Sequence, residues 1–208
     1  QQMGLPLDDL YDELLMFAGF ATVGDVMDLT GENRILVREG LKRLQKTTHP
    51  GMSALIEANE LARDTLSAFH IGFVLGPCIN ASGRLATAKR ALALLDTKDQ
   101  ALAIERAAEL KELNDERKEL TEQGLAQAVD LIEHSDLMED RVLVVYLPDC
   151  HESLAGIIAG RIRERYYRPV FVLTRAEDGV KGSGRSIETY SMFEEMSKCK
   201  ELYTRYGG

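Results

Sequence analysis

At 208 residues the chain can build one large domain or two small ones, and its 45% apolar and 28% charged composition is that of a soluble globular protein with no apolar run near the roughly 20 residues that span a bilayer. Three cysteines (Cys78, Cys150 and Cys199) without a Cys-x-x-Cys pair argue against a disulfide framework or a structural zinc site, and for a reducing cytoplasm. The net charge of −9 argues against a protein that coats nucleic acid indiscriminately, yet it is uneven: residues 1–140 carry 14 Lys and Arg against 25 Asp and Glu, whereas residues 141–208 carry 11 against 9, bunched between Arg161 and Arg185.

No basic, then apolar, segment opens the chain, and Gln1-Gln2-Met3-Gly4 reads as the interior of a longer protein. Leu10, Leu14, Leu15 and Phe17 recur at helical spacing between Leu7 and Phe20. A second helix is expected from about Asn33 to Leu44, Pro50-Gly51 punctuates the chain, and short helices follow between Ser53 and Leu66. The apolar run Ile71–Leu75 reads as strand-like, feeding a Gly- and Pro-stiffened turn, Gly76-Pro77-Cys78-Ile79-Asn80-Ala81-Ser82-Gly83-Arg84, before a helix over Leu85–Leu95. From Lys98 to His134 there is no Pro and one Gly among strong helix formers, which predicts a long helix with a domain junction at it. Beyond it strands and helices alternate: a strand buried on both faces over Arg141–Leu147, a helix over Ser153–Arg165, a strand over Pro169–Thr174, another at Lys181–Ile187 and a last helix over Ser191–Cys199. This is an α/β chain whose polar sites should lie at the carboxyl ends of its strands.

Several residues offer chemistry beside a plainer use. Asp25, in Thr22-Val23-Gly24-Asp25-Val26, is a turn or cap aspartate, or a metal ligand. Asn80 holds a turn through its side chain or contacts a ligand, and Arg84 pairs with an acid or with an anion. His151 opens a helix where Asp149 and Glu152 have the spacing of a capping pair. Gly182-Ser183-Gly184-Arg185-Ser186 is either a glycine-bearing bulge or a cluster of hydroxyls, backbone N–H groups and a guanidinium suited to a terminal phosphate. Arg161 and Lys181 are weaker candidates of the same kind, and Arg163, Arg165 and Arg168 read as solvated surface charges.

Gly-Pro-x-Ile-Asn-Ala-x-Gly-Arg at 76–84 resembles a signature of the RecJ single-strand exonucleases, in the DHH phosphoesterase superfamily. Thr22–Val26 is similar to that superfamily's late metal motif, and His151-x-x-x-x-Gly-Ile-Ile-Ala-x-Arg161 to the opening of its associated domain. The resemblance implies the C-terminal part of a DHH domain over 1–97, a connecting helix over 98–135 and an incomplete DHH-associated domain over 136–208. It implies that Asp25 helps to hold Mn²⁺ or Mg²⁺, that Asn80 and Arg84 line the cleft, and that Ser183 and Arg185 hold the 5′ end of single-stranded DNA, with His151 and Arg161 nearby. Cys78 departs from the family, where Arg is frequent, and Cys150 stands where Trp usually precedes the His. The Asp-His-His triplet and the His of the family's Gly-Gly-His motif are not in these residues, so the expectation is an inactive fragment of a cytoplasmic, monomeric 5′→3′ exonuclease of repair and recombination, working beside replication and repair proteins. Other readings are a different DHH phosphoesterase, such as an oligoribonuclease with pAp phosphatase activity or a cyclic-dinucleotide phosphodiesterase, and a non-catalytic nucleic-acid-binding scaffold.

Overall fold

A computed structural model describes residues 7–207, with side chains described from Tyr11; the reading of Gln1–Gly4 and the side chain of Leu10 lie outside the described residues. The chain divides into two compact units, residues 1–116 and 117–208.

The first unit is helical: α1 (Leu7–Gly24), α2 (Gly31–Lys46), α3 (Pro50–Ala58), a short α4 (Ala68–His70) running through a π-helical turn (Ile71–Leu75) into α5 (Gly76–Leu85), α6 (Lys89–Asp96) and the first half of α7 (Gln100–Glu133). Its core joins Met16 of α1, Leu44 of α2, Leu55 of α3, Leu75, Leu94 and Leu110. α1 and α2 cross with their backbones touching. A Cβ built on Gly40 would stand 2.8 Å from the Leu15 carbonyl oxygen and 2.9 Å from Gly19 Cα, and one on Gly19 would stand 2.8 Å from the Leu36 oxygen. Only glycine at both positions allows that approach.

The segment read as a strand and turn is continuous helix instead. Ile71 and Leu75 are buried four residues apart while Phe73 faces solvent, which is a helical period. Pro77 has no N–H and its ring crowds the preceding turn. The helix widens ahead of it: the Gly76 N–H bonds back five residues to the Ile71 carbonyl, and a Cβ on Gly76 would lie 2.7 Å from that oxygen. The glycine and proline of the signature therefore shape a π-turn within a helix. The helix expected from Leu85 starts only at Lys89, because α5 ends at Leu85 and Ala86 leaves helical geometry.

The second unit holds β1 (Leu143–Tyr146), α8 (Ala155–Tyr166), β2 (Val170–Ala176), β3 (Gly179–Arg185) and α9 (Met192–Ser197), with the second half of α7. β1 and β2 are parallel, joined through α8, and β3 returns antiparallel beside β2 in the order β1-β2-β3. Ala128 and Ile132 of α7, Ile158 and Ile162 of α8, and Val145 and Val172 of the sheet share one core. β1 is not buried on both faces. Leu143 and Val145 point into the core, but Val144 and Tyr146 are each 46% exposed, because α7 and α8 cover one side of an edge strand. β3 pairs with β2 residue for residue from Gly179 to Arg185, so the bulge reading of its glycines fails. No described helix is long and apolar enough to cross a membrane.

Replacing Gly40 by Ala should lower stability by about 1–3 kcal/mol, since the new methyl meets backbone atoms that cannot rotate away; this outweighs the roughly 1 kcal/mol that Ala gains over Gly in a helix. Urea unfolding of the variant checks it, and an unchanged midpoint would mean that the helices separate freely.

Candidate phosphate-binding residues

Asp25 caps the C-terminus of α1. Its own N–H bonds to Ala21 O (2.9 Å), Val26 N–H to Val23 O (3.0 Å) and Met27 N–H to Thr22 O (3.2 Å), a Schellman closure in which Val26 takes the left-handed residue at φ +55°. Glycine is the usual occupant there, and a β-branched side chain in that conformation is strained. The closure leaves the Asp25 side chain exposed, with no ion-pair partner among the described residues. Asn33 Nδ2 donates to the Asp28 carbonyl (3.0 Å) and holds the following loop against α2.

Asn80 and Arg84 sit one turn apart on the exposed face of α5, an i,i+4 pair. Asn80 thus lies on a helix, and the turn-holding role is excluded. Cys78 is wholly buried, its Sγ 3.5 Å from Asn59 Oδ1, so position 78 faces the core and offers nothing to a ligand at the surface. Gly72 of the π-turn lies against Val23, where a Cβ would be 3.6 Å from Val23 Cγ1, which brings the helix leading to Asn80 and Arg84 beside the end of α1.

In the second unit the structure gathers Ser183 and Arg185 over the first turn of α8. A Cβ on Gly156 would stand 2.8 Å from Ser183 Oγ and 3.0 Å from Arg185 Nη2, so a hydroxyl, a guanidinium and a glycine at a helix start converge. Arg185 Nη1 donates to the Gly184 carbonyl (2.8 Å), and among the described residues no carboxylate pairs with it. That leaves donors free for an anion. From sequence Gly156 was named only as a position of the motif His151-x-x-x-x-Gly-Ile-Ile-Ala-x-Arg161, with no role of its own; the signal for one was its place in the first turn of a helix after a strand.

The cap of that segment is His151 rather than the pair Asp149 and Glu152. His151 Nδ1 accepts from the Ser153 N–H (3.3 Å) and lies 2.7 Å from Ser153 Oγ. Glu152 instead binds Lys181 of β3 (2.7 Å), and that hydrogen bond holds its carboxyl below the usual carboxylate range. Asp149 stands 3.5 Å from Arg175. Lys181 is thus committed, and its bond ties β3 to the turn that carries His151. Arg161 is committed too, to Glu122 of α7. Arg165 binds Glu133 (2.8 Å), and Arg168 bridges the carbonyls of Met138 and Asp140 (2.8 and 3.0 Å), so the latter tethers a loop. Burial pushes the Cys150 thiol up, away from nucleophile chemistry.

Among the described residues no three His, Cys, Asp or Glu side chains gather in a way that could hold a metal ion. Asp25 alone supplies one carboxylate, and a divalent ion needs more ligands than that.

Residues 139–208 match the DHHA1 domain family. Over 204 residues the chain is 35% identical to the single-stranded-DNA-specific exonuclease RecJ of Bacillus subtilis, covering 97% of this chain and 26% of that protein. It is 38% identical over 206 residues to RecJ of Escherichia coli, covering 94% and 36%. The crystal structure of RecJ from Thermus thermophilus in complex with Mn²⁺ superposes on the whole chain with a TM-score of 0.85 at 36% identity. The chain is RecJ-like. It spans about a quarter to a third of the curated RecJ proteins it matches, and 50% of a second RecJ structure, bound to manganese, which superposes with a TM-score of 0.80.

Two substitutions test the local geometry of this RecJ-like chain. Gly156→Ala should keep the fold while displacing the Ser183 hydroxyl and the Arg185 guanidinium, weakening about tenfold the inorganic-phosphate binding followed by NMR at the Arg185 guanidinium; an unchanged titration of that signal would separate those side chains from phosphate. Val26→Gly should raise stability by about 1 kcal/mol by relieving the left-handed strain, read as a higher urea midpoint.

Proposed function

We propose that residues 1–208 form the strand-gripping part of a metal-dependent exonuclease that degrades single-stranded DNA from its 5′ end in repair and recombination. The observation that carries this is the match of essentially the whole chain, in sequence and in fold, to RecJ exonucleases. The free guanidinium over Gly156 gives that reading a physical basis.

Ser183 and Arg185 take the terminal phosphate, the guanidinium as a two-pronged donor and the hydroxyl as a third, with the start of α8 behind them. His151 borders that grip, held in place by Ser153 and by the Lys181–Glu152 bond of its neighbour. Arg161 is a reserve contact, available to a phosphate that displaces Glu122. Asn80 and Arg84, on the exposed face of α5 in the first unit, contact phosphates of the backbone. Phosphate contacts position a strand without reading its sequence, which suits an enzyme that digests any sequence. Asp25 is one ligand to Mn²⁺ or Mg²⁺, ions that generate a nucleophilic hydroxide and neutralise the leaving oxygen when bound. The other ligands come from RecJ-type sequence outside residues 1–208, and the 208-residue chain binds without cutting. The setting is cytoplasmic, the protein monomeric, and its neighbours are replication and repair proteins.

The purified chain is expected to bind a 5′-phosphorylated oligothymidine weakly, by fluorescence anisotropy, and to leave it intact in Mn²⁺ on a gel; digestion would overturn this division of labour. In a polypeptide of RecJ length carrying this segment, Arg185→Ala should raise KM about tenfold for a 5′-phosphorylated strand and far less for a 5′-hydroxyl strand. Equal losses on both would remove Arg185 from the terminal phosphate.

A further inference from the structure

The first unit holds a pocket of about 630 Å³ between the N-terminal part of α1, the end of α2 and the loop that enters α3. That volume is in the range of small-molecule sites. The loop is built rigidly. Arg63 Nη1 donates to the Thr47 carbonyl (2.7 Å), Ser53 Oγ donates to the same oxygen (3.3 Å), and the His49 N–H bonds to Thr47 Oγ1 (3.1 Å).

His49 caps α3, its Nδ1 accepting the Met52 N–H at 3.3 Å. The residue is only 7% exposed, and its other ring nitrogen, Nε2, has no hydrogen-bond partner. With Nδ1 acting as acceptor, the neutral ring carries its proton on Nε2. Burial keeps the ring neutral by pushing its pKa down, against the opposing pull of the Glu13 carboxylate. That carboxylate stands 3.9 Å from Nε2, beyond hydrogen-bond reach, on the pocket wall. The Leu95 carbonyl favours the protonated ring but is not placed to accept the bond. A buried donor without an acceptor costs about 1–3 kcal/mol, so the site is built for something more than its own packing.

The charges on the wall are lopsided. Arg43 is taken up by Asp12 (2.6 Å) and Glu39 (3.3 Å), and Lys42 by Glu39 (2.9 Å). Lys46 and Lys98 also line the pocket and have no ion-pair partner among the described residues. Among the described residues, two ammonium groups and one N–H donor therefore face a single unpaired carboxylate, that of Glu13.

We propose that this pocket binds a phosphate group, with Lys46 and Lys98 as its counter-charges and His49 Nε2–H as the oriented donor that selects it. The Glu13 side chain, 44% exposed, swings out as the phosphate enters and gives up the place beside Nε2. Lysines serve phosphates as point charges, and the neutral imidazole adds direction. The inference goes beyond the nuclease reading and does not depend on it, because none of these residues belongs to the strand grip. The phosphate can arrive on a free mononucleotide or within a strand, and both present the same group.

The test is a titration of the 208-residue chain with inorganic phosphate, with deoxyadenosine 5′-monophosphate and with oligothymidine, following the His49 ring nitrogens by NMR. A saturable shift of Nε2 with any of the three is expected. Response to inorganic phosphate or the mononucleotide identifies a small-molecule site, and response to the oligonucleotide alone identifies a strand contact. Lys46→Gln with Lys98→Gln should weaken binding about tenfold or more, and Glu13→Gln should tighten it. Both variants change exposed side chains, so circular dichroism should match the parent chain. An Nε2 signal that none of the probes moves, or a saturable Nε2 shift that the double lysine variant leaves intact, overturns the proposal.

Discussion

Backbone touching backbone sets the first unit. At the crossing of α1 and α2 there is no room for a single methyl group on either Gly19 or Gly40. With the crossing fixed, the end of α1 is fixed as well, and with it the Schellman closure that turns Asp25 out to solvent. The same device recurs in the second unit: the missing Cβ of Gly156 is the space into which Ser183 and Arg185 fold. In both places a glycine contributes volume that is absent, and neighbouring groups occupy it.

Polar commitment sorts the basic side chains of the second unit more sharply than their count does. The run from Arg161 to Arg185 reads as a single positive face, but most of its members are already engaged: Arg161 with Glu122, Arg165 with Glu133, Arg168 with two carbonyls and Lys181 with Glu152. Such exposed pairs contribute little stability each. Within that run, Arg185 is left without a carboxylate among the described residues and sits beside Ser183 over the first turn of α8.

The long helix, the α/β pattern of the second half and the placing of Ser183 and Arg185 on one strand were legible because each has a local signal: helix formers without Pro, apolar runs between turns, and Ser and Arg beside glycines. Three features were not legible, for physical reasons. Ile71–Leu75 is too short for its periodicity to separate helix from strand, and the proline beside it imitates a turn. β1 reads as doubly buried because Val144 and Tyr146 are apolar, although nothing in an edge strand's sequence records how many layers will cover it. His49 drew no notice because an unpartnered ring nitrogen exists only once α1, α2 and α3 have closed around it.

The π-turn ahead of Pro77 also has a bearing on angular phase. It accommodates one residue more than an α-helical turn of the same rise, so every side chain after it is rotated about the helix axis by roughly 100° relative to a regular helix. Asn80 and Arg84 owe the direction in which they point to that one surplus residue. A chain shortened by one residue there would regain regular hydrogen bonding and keep both side chains, yet aim them at a different part of the surface. The turn's extra residue thus acts as a setting of direction, written into the sequence as a length.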